Sequence, residues 1–205
     1  MQHDPNPLLD EVLIAHLRPT QLNVGLREVA RKRASWVAMT STEERHFLGR
    51  HLIPVVIGPK KRRYILDNHH LTRALHEQGI AHVLTHTIAD VHHLGRDAFW
   101  RYMDNRNWLR LYDVHGRLHG VDALPKTVAG MKDDPYRSLA GDLRRAGGIA
   151  KDPAPYAEFL WADHLRTRLK PALLADDYDK ALSRALVLAK RADAAYLPGW
   201  CGVET

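Results

Sequence analysis

The segment Leu52–Arg73, LIPVVIGPKKRRYILDNHHLTR, narrows the available folds more than any other part of the chain. An apolar run, Ile53–Ile57, ends at a Gly58-Pro59 turn followed by four cations, Lys60, Lys61, Arg62 and Arg63. A second run, Tyr64–Leu66, leads into Asp67-Asn68-His69-His70. Two β-rich runs flanking a Gly-Pro turn predict paired strands, and Asn68 predicts the N-cap of a helix that carries Leu71, Ala74 and Leu75 and stops at Gly79. Such a helix start favours phosphate, because first-turn amides lack acceptors within the helix and the dipole is positive there.

Around this segment the pattern alternates. A helix is predicted over about Val24–Val37, and Ser41-Thr42-Glu43-Glu44 reads as a capping box opening a short helix through Leu48. Residues 80–88 alternate as a strand, with Ile80, His82, Leu84, His86 and Ile88 on one face. A helix near Asp97–Asn105 and an apolar stretch, Trp108–Tyr112, complete the mixed region. Gly116–Gly130 reads as a loop-rich connector, and the chain beyond Asp134 reads as helical. Asp134-Pro135 supplies an N-cap and N1 proline, Pro155 opens a second helix, and Asp177–Ala194 carries the stripe Tyr178, Leu182, Ala185, Ala189. The expected organisation is an α+β domain over 1–115, a small mixed sheet with flanking helices, followed by a helical region over 116–205. Residues 1–20 read as a proline-containing lead-in that ends in Leu17-Arg18-Pro19-Thr20.

Composition bounds the partners. The 205 residues carry a net charge of +6 and a pI of about 9.5, which suits an anionic partner. A single cysteine, Cys201, permits no intramolecular disulfide and fits a reducing compartment. No signal peptide or membrane span is visible, so a cytoplasmic location is expected. Of the 14 histidines, His82 and His86 would stand about 13 Å apart on one strand face, and no pair has the spacing of a structural zinc site. No resident metal is expected. Trp100, Trp108, Trp161 and Trp200 lie among apolar neighbours and read as core.

Four ordered motifs carry a resemblance: Leu17-Arg18-Pro19-Thr20-Gln21, Val24-Gly25-Leu26-Arg27-Glu28-Val29, Ile53–Pro59, and Asp67-Asn68-His69-His70-Leu71-Thr72-Arg73-Ala74-Leu75. With Tyr136–Gly141 and Glu158–Asp163, they resemble the ParB-like nuclease family of the ParB/sulfiredoxin superfamily. The resemblance implies the α+β fold above and phosphates placed around Asp67–Arg73. Sulfiredoxins need a cysteine in this turn, which this chain lacks. The DNA-partitioning clamps carry an arginine-rich turn where two histidines stand here.

The resemblance assigns roles. Asn68, His69, His70, Thr72 and Arg73 are the expected nucleotide- or phosphate-binding residues, with Asp67, His69 and His70 as catalytic candidates. Glu28 is the expected general base, by similarity to the serine-kinase branch; otherwise it is a surface residue paired with Arg31 or Lys32. Lys60, Lys61, Arg62 and Arg63 are candidates for nucleic-acid binding. The leading expectation is a nucleotide-binding phosphohydrolase, acting as nuclease or nucleoside triphosphatase, with ATP, ADP or CTP and Mg²⁺ carried by its phosphates. The alternatives are an ATP/ADP-dependent kinase of a small molecule such as free serine, and a non-catalytic nucleotide-dependent binding module. The expected partners are nucleotide or nucleic acid, with no membrane, and a homodimer is a further expectation.

Overall fold

The computed structural model describes residues 9–202; the first eight residues of the expected lead-in lie outside the described residues. In chain order the elements are β1 (Leu9–Leu13), β2 (Leu17–Arg18), β3 (Asn23–Val24), α1 (Leu26–Val37), α2 (Ser41–Arg50), β4 (Ile53–Gly58) and β5 (Arg62–Ile65). There follow α3 (His69–Glu77), β6 (His82–Asp90), α4 (Arg96–Asn105), β7 (Lys132–Asp133), α5 (Pro135–Arg145), α6 (Ala157–Arg166), α7 (Pro171–Asp176) and α8 (Tyr178–Ala189). Contacts divide the chain into two compact units. The first comprises residues through Asn23, Val29–Asp113 and Arg117–Lys132; the second comprises Val24–Glu28, Val114–Gly116 and the chain from Asp133. Residues 117–132 thus group with the mixed unit rather than with the helical one.

The first unit is built on a five-stranded sheet in the order β1-β6-β4-β5-β2. β1 runs antiparallel to β6, β6 parallel to β4, β4 antiparallel to β5, and β2 parallel to β5 with Arg18 beside Tyr64. This is the expected mixed sheet, with two strands more, β1 and β2, than the sequence pattern showed. β1 escapes that reading because it is an edge strand with one covered face: only Val12 is buried, and Asp10-Glu11 interrupts the apolar alternation. In β4 the successive residues Val55 and Val56 are both buried, at a register shift against β6, as befits a central strand covered on both sides. Val56 and Tyr64 pack with Phe99 and Met103 of α4. A Cβ on Gly58 would stand 2.5 Å from the Phe99 ring, so the hairpin needs glycine there to let α4 approach.

Local signals are met with small displacements. The capping box of α2 lies at Thr40 and Glu43, one residue earlier than expected: Glu43 Oε2 accepts from Thr40 N–H at 2.7 Å, and Thr40 Oγ1 accepts from Glu43 N–H at 3.4 Å. Asn68 occupies the N-cap position of α3 in a left-handed conformation (φ 64°, ψ 25°), but its side chain does not cap the helix. Its Nδ2 donates instead to Leu52 O at 3.2 Å. Gly79 ends the α3 turn with φ +75°, the stop the sequence predicts.

The second unit is helical. Asp134 caps α5, its carboxylate accepting from the N–H groups of Tyr136 and Arg137 and from Arg166 Nη2 at 2.6 Å. Burial raises the Asp134 pKa against the opposing pull of Arg166. Leu139, Leu143, Trp161, Leu165 and the Ala181-Ala185-Ala189 stripe are fully buried in one core. Each such leucine contributes about 2 kcal/mol relative to exposure. α7 is a helix that the sequence pattern did not set apart from its neighbours, and the helix expected over Asp177–Ala194 ends at Ala189, followed by a single 3₁₀ turn at Ala192–Ala194. Among the described residues, no helix is long and apolar enough to cross a membrane.

Candidate phosphate and nucleic-acid site

The turn from β5 into α3 gathers Asp67–Arg73, yet most of its side chains are already engaged. His69 is 4% exposed. Its Nε2 accepts from Thr20 N–H at 3.2 Å, while Thr20 Oγ1 donates to Ile65 O at 2.6 Å. An Nε2 that accepts is deprotonated, so the ring is neutral. Burial pushes its pKa down to about 3. His69 therefore holds the segment after β2 against the start of α3 and does not change protonation state near neutral pH. Thr72 is fully buried, its hydroxyl donating to Asn68 O at 3.0 Å.

Arg73 is likewise drawn into the fold. Its Nε donates to Glu77 Oε1 at 2.6 Å, and its Nη1 lies 3.1, 2.7 and 3.1 Å from the carbonyls of Val128, Ala129 and Met131. The guanidinium is thus a clamp on the Val128–Met131 backbone, which explains why residues 117–132 belong to the first unit. Asp67 is exposed, with its Oδ1 accepting from Asn68 N–H at 2.7 Å, and His70 is half-buried beside it in the chain. Glu28 lies in the second unit, where it pairs with Arg145. Arg145 also reaches Asp142 at 2.7 Å, and Arg27 stacks 3.6 Å over the Tyr178 ring.

The four cations of the β4–β5 hairpin separate into two groups. Arg63 pairs with Asp10 at 2.9 Å. Lys60, Lys61 and Arg62 are exposed, and Lys60 (φ 60°) and Lys61 (φ 53°) both adopt left-handed backbone. That conformation is uncommon for side chains with a Cβ and is often retained at functional turns. Lys60 and Arg62 face a cavity of about 360 Å³ within the first unit. Arg18, Arg96 and Lys126 add three more cations to its lining, and Tyr64, Phe99 and Trp100 supply an aromatic wall. Its one carboxylate, Asp122, pairs with Arg96.

Both engaged residues of the α3 turn shape this cavity. His69 fixes Thr20, the residue after Arg18-Pro19 in one wall; Arg73 fixes the backbone just after Pro125-Lys126 in another.

The sequence matches the family described as "Putative ParB-like nuclease" over residues 10–167. The chain belongs to the ParB-like nuclease family. It is also similar to the protein Atu1540 from Agrobacterium tumefaciens, known from a crystal structure: identity is 49%, the match covers 97% of this chain and 100% of that one, and the TM-score is 0.91. No curated protein matches.

Sequence reasoning named Lys60 and Arg62 but missed Arg18, Arg96, Lys126 and Trp100 as neighbours, because they are scattered over more than one hundred positions and meet only through the sheet topology. Among the described residues, no group of three or more His, Cys, Asp or Glu is placed to hold a metal ion. The cavity's donors are cations, and its one carboxylate is already paired, so these residues do not fit a resident divalent metal.

Proposed function

We propose that this member of the ParB-like nuclease family binds nucleic-acid or nucleotide phosphate at the cavity flanked by the β4–β5 hairpin. The observation that supports this reading is the convergence of Arg18, Lys60, Arg62, Arg96 and Lys126 on one concave surface whose lone carboxylate is paired with Arg96. Guanidinium groups bind phosphate through paired N–H donors, and lysine adds point charge. Binding of DNA to such a surface weakens steeply with salt, because each neutralised phosphate releases counterions. The test is the salt dependence of DNA affinity in wild type and in a Lys60→Ala/Arg62→Ala double variant. A shallower salt slope with weaker binding is expected; an unchanged slope rejects the reading.

A second reading, phosphohydrolase activity at the α3 turn, is favoured by the exposed carboxylate of Asp67 next to the helix start, with His70 close in the chain. There Asp67 would accept a proton from attacking water and His70 would steady the phosphate. ATP, ADP, CTP and single-stranded DNA, each with Mg²⁺, are the substrates to assay, with free serine as a phosphoryl acceptor in parallel. Turnover abolished by Asp67→Asn supports hydrolysis or, where phosphoserine forms, the kinase reading. Binding without turnover assigns the chain as a nucleotide-dependent module, which the engaged states of His69, Arg73 and Glu28 favour.

A further inference from the structure

We infer that the basic cavity of the first unit accepts a single unstacked base together with its phosphate, so that the preferred ligand is a nucleotide unit, free or within a single strand, rather than duplex. The inference rests on the phosphate-binding reading above and adds what lies inward of the cations.

Trp100 is half-buried and lines the cavity. It is braced by Tyr64, edge-on at 5.3 Å, and by Phe99 at 4.9 Å, both of which are buried. Two buried rings that fix the orientation of a third, partly open ring make a rigid aromatic surface, and ordering it on binding costs little. An indole held this way suits stacking of a flat heteroaromatic ring. Phosphate alone needs none of this wall.

Size points the same way. A volume of about 360 Å³ lies at the small end of ligand clefts, which span about 300–1,000 Å³, and suits one small aromatic ligand. Bases in a duplex are stacked on their neighbours and offer only their edges to a protein. A base face therefore reaches Trp100 only from a single strand or a free nucleotide. Arg18 and Arg62, on the adjacent strands β2 and β5, and Lys60, in the β4–β5 turn, then meet the phosphate.

The test compares, at one salt concentration, labelled oligothymidylate with an abasic strand of equal length and charge, and with a duplex of the same total phosphate count, which should bind no more tightly than the abasic strand. Wild type should bind oligothymidylate about tenfold more tightly than the abasic strand, the scale of one stacked base. Folded Trp100→Leu protein should lose that difference and keep its abasic affinity. Thymidine monophosphate, set against inorganic phosphate as competitor, separates the two sources; displacement by the nucleotide alone assigns free nucleotides to the cavity as well. Equal affinity of wild type for base-bearing and abasic strands overturns the inference and leaves phosphate binding standing. A difference that survives in folded Trp100→Leu also overturns it. Absence of salt-dependent binding to every probe overturns both readings.

Discussion

The backbone N–H of Thr20 donates to Nε2 of His69 at 3.2 Å, joining the residues that follow β2 to the first turn of α3. Both partners are buried, and 49 positions separate them in sequence. The bond unites two of the motifs that carry the family resemblance. It makes the histidine a positioning residue for the Arg18-Pro19 wall rather than a phosphate donor.

A pH dependence follows for His69. Its folded pKa is depressed to about 3 by burial, whereas an unfolded histidine titrates near 6.5. Below pH 6.5 the unfolded chain takes up a proton that the folded chain refuses. Stability from this group is therefore complete above about pH 6.5 and is lost as pH falls toward 3, at up to about 1.4 kcal/mol per pH unit. Urea unfolding of wild type and His69→Gln between pH 7 and pH 4 checks this. The variant should be less stable at pH 7 by about 1–3 kcal/mol and show a flatter decline; parallel profiles would refute the assignment.

Arg73 should matter to stability more than to ligand charge. Removing a half-buried guanidinium that serves three carbonyls leaves acceptors unsatisfied, so Arg73→Met should cost about 1–2 kcal/mol in chemical denaturation. Arg73→Lys should recover less than half of that, since an ammonium cannot serve Glu77 and the carbonyls with the same fork. Full rescue by lysine would show that charge alone is required.

Asp122 opposes anion binding. It is the cavity's one carboxylate, and it occupies Arg96. Asp122→Asn should raise affinity for single-stranded DNA about fivefold at low salt, the scale of one charge at close range in water. The gain should shrink as ionic strength rises. Both partners are largely exposed, so unfolding midpoints should not move. Affinity unchanged at low salt would remove Asp122 from the binding surface.

The fold was more legible than the site. Short-range patterns carry the β4–β5 hairpin, the α3 stop at Gly79 and the Asp134 cap, because each depends on turn or cap chemistry within a few residues. β1 is hidden by Asp10-Glu11, and the Thr40 box by a competing Ser41 one position on. In the site, burial of a helix-start histidine depends on what packs over it. The available signal was the three-residue step from His69 to Thr72, which places both on the buried arc of α3. Trp100 read as core, and its rings do pack there, but the remaining exposure that opens it to the cavity depends on α4 and the Val121–Lys126 segment meeting in space.

Glu28 separates catalysis from architecture. A carboxylate acting as general base loses that function as glutamine while keeping its shape, and turnover then falls by about a hundredfold or more. In the structure the Glu28 carboxylate is committed to Arg145, at the surface of the second unit, and Arg145 retains Asp142 when Glu28 is neutralised. Glu28→Gln should therefore cost at most about 1 kcal/mol of stability, the scale of a partly exposed ion pair. A double-mutant cycle with Arg145→Ala should return a coupling of similar size. Rates of nucleotide hydrolysis, DNA cleavage and serine phosphorylation, measured in parallel, should stay within twofold of wild type, whereas Asp67→Asn should abolish any that are present. A hundredfold loss in folded Glu28→Gln with binding intact would restore Glu28 as the base and displace Asp67.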